Sequence, residues 1–503
     1  MLFFFIGSFA AQTAAHAKAR RPNILLILAD DLGYGDVGCF NRHSKIPTPH
    51  LDRLAREGLR CLDAHSPSSV CTPTRYGLLT GRYAWRTRLE KGVLLGFSPP
   101  LLAPGQPTLA STLASQGYRT AMIGKWHLGL SWPARDPGTQ FLDQSESAAT
   151  GWKVDYRKPF EGGPLAAGFH TFFGISASLD MPPYVDLIDH RVSEIPSVDK
   201  TWIRKGPAAS SFEAEEVLPR QERKAVEFID SQAGAAVSRA PFFLYLALTS
   251  PHTPILPTPE WKGRSGLNPY ADFVLQTDAT IGRLMEALRR NGMEDETLVI
   301  FTADNGCSPA AGWAKLRSTG HSPSGPFRGH KADLFEGGHR VPFVARWPGR
   351  VKAGSSSKRA LCLTDLSATF RDLVGGQWDH ASTLDSFSFA DLLGGKREGP
   401  KRGHLIHHSI DGSFGVREGR WKLLLCGGSG GWSEPKPGSD SEKQLPRKQL
   451  YDLESDPGES RNRIADYPEM ANALERQLQR WVQNGRSTPG PAAANDRTVK
   501  WIR

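Results

Sequence analysis

The stretch Ile24-Leu25-Leu26-Ile27-Leu28-Ala29-Asp30-Asp31 places two carboxylates directly after a wholly apolar run. An unbroken run of branched aliphatic residues predicts a strand covered on both faces, as in a parallel sheet flanked by helices. The pattern recurs further on. Leu298 to Thr302 leads to Asp304-Asn305-Gly306, and Phe242 to Leu248 leads to Ser250-Pro251-His252-Thr253-Pro254. Thr120 to Ile123 is a shorter run that opens into Gly124-Lys125-Trp126-His127, and Val341 to Trp347 is a further strand. Helical patterns separate the runs. Thr48 caps a short helix carrying Leu51, Leu54 and Ala55, and Leu109 to Gln116 and Leu363 to Val374 read as helices. Ile281, Leu284, Met285 and Leu288 fall on one helical face. Strands alternating with helices predict an α/β fold, and in open α/β sheets ligands gather at the carboxyl ends of the strands.

Outward from this frame, Trp132 to Ala167 and Asp189 to Pro219 are long polar stretches, read as rims of a substrate pocket or as surface decoration. Gly394 to Gly403 is the expected domain boundary, giving a first unit over 22–395. Beyond it, Ser413 to Val416 and Trp421 to Leu425 predict a hairpin and Gln449 to Leu453 a returning strand across a Gly/Ser/Pro loop. Met470, Leu474, Leu478 and Val482 mark an amphipathic helix, so 404–486 reads as a small C-terminal α+β subdomain and 487–503 as a tail. At the other end, apolar Leu2 to Ala10 followed by Ala15-His16-Ala17 predicts a signal peptide over 1–17 and a secreted or periplasmic protein. No later segment reads as membrane-spanning. The 503 residues carry a net charge of +10, which suits anionic partners, but no dense Lys/Arg run points to nucleic acid. The six cysteines form no CxxC pair, and the sequence leaves any disulfide pairing open.

Each acidic pair alone reads as a strand ending in a polar turn. Together, Asp30, Asp31, Asp304 and Asn305 supply four hard oxygen-bearing side chains, the donor set that Ca²⁺ or Mg²⁺ prefers. The pairs hold no imidazole or thiolate, which argues against zinc or copper. Lys125, His127, His252 and Lys331 would add ammonium and imidazole groups near the same strand ends, able to stabilise an oxyanion and to move protons. A fifth element is Cys71-Thr72-Pro73-Thr74-Arg75, followed by Gly81-Arg82. Pro73 suits a first helical turn, which sets Cys71 at a helix N-terminus, where free amides favour an anion. A lone cysteine is more often a small buried apolar residue. Its company here favours chemistry.

The order Asp-Asp, Cys-x-Pro-x-Arg, Gly-Lys-x-His, Pro-His, Asp-Asn-Gly, Lys resembles that of the type I, formylglycine-dependent sulfatases, the arylsulfatase-like branch of the alkaline phosphatase superfamily. Glu336-Gly337-Gly338-His339-Arg340-Val341-Pro342 and Leu450-Tyr451-Asp452-Leu453 with Asp456-Pro457 resemble further segments of that family. The resemblance implies an alkaline-phosphatase-like large mixed sheet flanked by helices, with a smaller C-terminal antiparallel sheet plus helix. It implies one Ca²⁺ held by Asp30, Asp31, Asp304 and Asn305 with an oxygen of modified Cys71. It also implies conversion of Cys71 to formylglycine by a formylglycine-generating or anaerobic maturation enzyme. Arg75 and Lys125 would hold the aldehyde hydrate and His127 would bond one of its hydroxyls. His252 and Lys331 would bind the sulfate and assist the leaving oxygen. Ser178 is the better match to a serine near the family's pocket, Ser176 the other. The implied reaction is hydrolysis of a sulfate ester, of a small molecule or glycan, through a covalent sulfo-enzyme. Rival readings are a phosphodiesterase or phosphonate hydrolase on the same fold, a non-catalytic binder of sulfated glycans, and an enzyme using unmodified Cys71. Asp180, Met181, Pro182, Pro183 and Tyr184 follow the serine and read as a sugar contact or a turn.

Overall fold

The computed structural model describes residues 21–143, 147–233, 240–376, 383–395 and 401–501; the expected signal peptide lies outside them. The core is a ten-stranded mixed sheet. Asn23–Ala29 runs at its centre, parallel to Phe242–Ala247 on one side and Thr297–Ala303 on the other. Arg119–Lys125 and then Thr171–Ile175 continue the parallel series. Phe343–Arg346 is antiparallel to Thr297–Ala303. Every residue from Ile24 to Ala29 and from Phe242 to Ala247 is buried, because helices cover both faces. Pro269–Arg290 is the longest of these helices and turns Ile281, Leu284 and Leu288 inward. Each such aliphatic side chain is worth about 1.5–3 kcal/mol when removed from water.

Register explains why the strand ends meet. Ala29 lies opposite Ala303, Leu28 opposite Ala247, Ala247 opposite Gly124 and Gly124 opposite Gly174. Five neighbouring parallel strands therefore stop at one level, and whatever follows each of them faces a common edge. Gly124 has φ +113°, and a Cβ there would stand 1.9 Å from the Ala247 carbonyl oxygen, so only glycine keeps this close register.

Beyond the main sheet, His404–His408, Phe414–Glu418, Trp421–Leu424 and Gln449–Asp452 form a four-stranded antiparallel sheet. Helix Pro468–Gln483 lays Leu474, Leu478 and Val482 into one cluster with Leu405, Val416, Leu423 and Leu450, and Tyr83 and Trp85 of the first unit join it. Arg402 and Asp365, both buried, pair at 2.6 Å.

Several expectations change. The stretch Asp189 to Pro219 is not plain loop: Val198–Trp202 and Arg204–Ala208 pair as a hairpin, and helix Val217–Ser231 starts before its end. Strands Thr171–Ile175 and His404–His408 went unread. The predicted strand at Val341 to Trp347 spans only Phe343–Arg346. The residues after Ser487 are docked rather than trailing: Asp496 pairs with Arg82 at 2.8 Å, its amide donates to the Arg86 carbonyl, and Val499 and Trp501 join the C-terminal cluster. All six cysteines are free thiols. Among the described residues no helix is long and apolar enough to cross a membrane.

Candidate active site

Helix Cys71–Thr80 begins at Cys71, one residue after the extended Val70. Its whole length is buried, an unusual setting for Arg75. One turn beyond Cys71, Arg75 lies on the same helix face and reaches across to the neighbouring strand end. Its Nε and a terminal nitrogen donate to Asp304 Oδ2 at 3.1 and 2.7 Å, and its other terminal nitrogen donates to the Lys125 carbonyl at 3.1 Å. Cys71 Sγ lies 3.6 Å from Asp30 Oδ1.

The carboxylates occupy adjacent strand ends. Asp31 takes φ +63°, which turns the chain sharply as it leaves the central strand, and its amide donates to Asp304 Oδ1 at 3.2 Å. Asn305 Nδ2 donates to Asp31 Oδ1 at 2.7 Å. Each carboxylate also has a cation: Lys125 Nζ sits 2.7 Å from Asp30, Arg75 2.7 Å from Asp304 and Lys331 Nζ 2.8 Å from Asp31. Burial by itself would raise the Asp30 carboxyl, but Lys125, His252, Arg75 and Lys331 outweigh it and hold that group well below the usual carboxylate range. Asp304 goes the other way, pushed up to about 6 by burial and by the charge of Asp30. For Lys331 the charges of Asp31 and its neighbours overcome burial and raise the ammonium above its ordinary value.

The residues fit a hard divalent cation. Asn305 Oδ1 is buried without a hydrogen-bond partner, beside three carboxylates on the same sheet edge, and an orphaned oxygen of that kind is a natural ligand. The ligand atoms of Asp30, Asp31, Cys71 and His252 all lie within 4.8 Å of one another.

Above this floor a cavity of about 360 Å³ is lined by Cys71, His127, Ser178, His252 and Lys331. Ser178 Oγ accepts from Lys125 Nζ at 3.0 Å and lies 3.3 Å from the His252 ring, whereas buried Ser176 Oγ has no partner and does not line the cavity. His252 Nδ1 donates to the Thr253 carbonyl at 2.6 Å, so Nε2, 3.6 Å from Asp31, is the atom available for other work. His127 has φ +59° and donates from Nε2 to the Leu94 carbonyl at 2.7 Å, which leaves Nδ1 without a protein partner. Burial, with Lys125 and Arg75 nearby, holds the His127 imidazole well below its usual range and therefore neutral. Its Nδ1 is a proton acceptor facing no competitor. Burial also pushes the Cys71 thiol up, keeping it protonated.

All eleven sequence-identified residues thus come together at one edge of the sheet. Asp180 and Met181, read as sugar contact or turn, line the cavity wall, while Tyr184 is buried behind it. Sequence reasoning did not find Arg204, from the hairpin, or Trp432, from the C-terminal loop, which complete the wall.

The family model described as Sulfatase matches residues 22–376. Human arylsulfatase A is 35% identical over 495 residues, covering 93% of this chain and 89% of the relative. An N-acetylgalactosamine-6-O-sulfatase of Bacteroides thetaiotaomicron is 30% identical over 509 residues, covering 92% and 93%. Among solved structures, a sulfatase from the glycosaminoglycan metabolism of Bacteroides thetaiotaomicron superimposes with a TM-score of 0.78 at 28% identity, covering 92% of this chain and 99% of that one.

Proposed function

Because the chain belongs to the sulfatase family and so to the sulfuric ester hydrolases, we propose that it is an exported enzyme that hydrolyses sulfate esters of carbohydrates, using formylglycine made from Cys71. The observation that carries this reading is the convergence of Cys71, three carboxylates, Asn305, three cations and two histidines at one sheet edge, where Cys71, His127, His252 and Lys331 line one cavity. In this reading residues 22–395 form the catalytic unit and 404–486 a C-terminal subdomain that closes one wall of the site.

Formylglycine supplies a hydrated aldehyde as nucleophile where the Cys71 thiol now stands, and one Ca²⁺ held by Asp30, Asp31, Asp304 and Asn305 supplies a Lewis acid. The remaining steps belong to this chain's own side chains. Arg75 and Lys125 fix the position of residue 71 by bonding the carboxylates around it. Lys331, His252 and Ser178 bind the sulfate oxygens, and their positive field stabilises charge as the ester bond breaks. His252 gives a proton from Nε2 to the departing alcohol. His127, neutral and open at Nδ1, takes the proton whose loss releases sulfate.

The test is a desulfation screen over defined sulfated mono- and oligosaccharides and 4-nitrophenyl sulfate, with sulfate and phosphate release measured in parallel. Peptide mass spectrometry at position 71 accompanies it. Sulfate release by protein carrying one oxygen in place of the sulfur and two hydrogens of Cys71 is expected. Faster phosphate or phosphonate ester turnover would overturn the substrate assignment, and an active preparation with only thiol at position 71 would overturn the nucleophile.

A further inference from the structure

The cavity wall carries a second polar feature that sulfate chemistry does not use. Asp180 follows Ser178 by two residues in a tight turn, closed by the Met181 amide donating to the Ser178 carbonyl at 2.9 Å. That turn carries Asp180 from the sulfate-binding serine onto the adjoining wall. Its side chain is only 9% exposed, its Oδ2 pairs with Arg204, and its Oδ1 is buried without a hydrogen-bond partner. A buried carboxylate oxygen left in that state costs about 1–3 kcal/mol, and Asp180 is one of the residues that line the cavity.

Arg204 is held by more than its ion pair. It follows Ile203 at the turn of the hairpin, and its backbone carbonyl accepts from the Tyr184 hydroxyl. The Tyr184 amide and carbonyl in turn bond Pro207 and Ala209, at 2.8 and 2.9 Å. The hairpin is therefore clamped to the loop bearing Ser178 and Asp180, and Arg204 lines the same cavity. Much of the remaining lining is apolar: Ile203 and Trp432, 65% and 40% exposed, with buried Met181 and half-buried Ile410.

We propose that Asp180 and Arg204 form a hydroxyl-reading pair, and that the substrate is a sulfated pyranose with free hydroxyl groups beside the ester, not an aryl or steryl sulfate. This rests on the reading of the Cys71 cavity as the site of sulfate ester cleavage. A sugar hydroxyl is donor and acceptor at once: it donates to Asp180 Oδ1 and accepts from Arg204. A phenol or sterol ester has no group to offer there and would leave the carboxylate oxygen unpaired. Trp432 and Ile203 suit the C–H faces of the ring.

The test uses the matured full chain and its Asp180→Ala and Arg204→Ala variants. Substrates are hexose and N-acetylhexosamine monosulfates, their deoxy analogues lacking one neighbouring hydroxyl, and 4-nitrophenyl sulfate. The readout is the ratio of kcat/KM on the best sugar sulfate to kcat/KM on the aryl sulfate. Sites built to bond a hydroxyl reject analogues lacking it by about 10⁴–10⁵; loss of one of two bonding partners should lower the ratio by about 10²-fold. One deoxy analogue should lose at least that factor with the parent enzyme and a smaller one with Asp180→Ala, where Arg204 alone still bonds the hydroxyl. A ratio unchanged within about threefold in both variants, or no deoxy analogue discriminated, overturns the proposal. If no sulfate ester of any kind is cleaved, the functional reading fails by itself. Calorimetric binding of the same sugar sulfates to Cys71→Ala protein then decides the pair: binding weakened by Asp180→Ala upholds it, and absence of any sugar-sulfate binding overturns it.

Discussion

Removing the His252 imidazole should change the dependence of rate on the leaving group, not merely the rate. His252 is buried against the cavity, with Nδ1 committed to the Thr253 carbonyl at 2.6 Å and Nε2 facing the site. A positioned general acid contributes about 10²–10⁴ in rate, or about 3–5 kcal/mol at 1.36 kcal/mol per tenfold. Lys331 is a second cationic donor lining the same cavity, 2.8 Å from Asp31. It should retain part of the effect, so His252→Ala is expected to lose about 10²–10³ on the poorest leaving groups. On an activated phenol, which departs without a proton, the loss should be about tenfold or less. The ring fills little of the apolar core, so stability should fall by only about 1 kcal/mol. The assay is kcat/KM over a series of aryl sulfates graded in leaving-phenol acidity, compounds that lack sugar hydroxyls and so do not engage Asp180. In the variant the plot of log kcat/KM against acidity should steepen. Parallel plots for parent and variant, displaced by a constant factor, would refute the assignment of His252 as proton donor and leave it a sulfate contact only.

Two further outcomes follow from the site and from the helices behind it. Purified protein should hold one Ca²⁺ per chain by elemental mass spectrometry, and added calcium should raise its thermal midpoint, stabilisation reaching about 2.7 kcal/mol at a hundredfold excess over Kd. Asp304→Ala should abolish both effects, and two metals per chain, or zinc, would contradict the donor set. Away from the site, Asp278 accepts the Leu51 and His50 amides at 2.8 and 3.1 Å at the start of helix Pro49–Arg56, and burial pushes its carboxyl up to about 7. The unfolded value is about 3.9. Between these values the native state binds a proton that the unfolded chain lacks, so this contribution is full below about pH 4 and lost as pH rises through about 7. Asp278→Asn should flatten the fall in thermal midpoint across that window; an unchanged slope would refute the linkage.

The site was legible because parallel strands covered on both faces read as continuous apolar runs, and the residues that matter come directly after them. Asp30, Asp304, Lys125 and His252 could be assigned to one sheet edge before any register was known. Thr171–Ile175 escaped because it is short, and because its place depends on pairing with Arg119–Lys125. Helix Val217–Ser231 escaped because Arg220, Glu222, Arg223 and Lys224 crowd it and only a narrow face is buried. The hairpin strand Val198–Trp202 has no buried residue and hence no alternation to read. Asp180, Arg204 and Trp432 come from three separate segments that no local period links, so their meeting in one wall belongs to tertiary structure alone.

The charge pattern ties these parts together. Asp30, Asp31 and Asp304 are each matched by a cation, Lys125, Lys331 and Arg75, while His127 stays neutral. The protein's own groups therefore balance, which allows so many ionised side chains to be buried at one sheet edge. A divalent cation among the carboxylates adds two positive charges, and the single negative charge of a sulfate monoester offsets one of them. Metal and anionic substrate should accordingly strengthen each other's binding by one common factor. Asp180 stays outside this pairing: a fourth carboxylate among Asp30, Asp31 and Asp304 would upset it, whereas on the adjoining wall Asp180 has Arg204 as its own counter-ion and one oxygen without a hydrogen-bond partner.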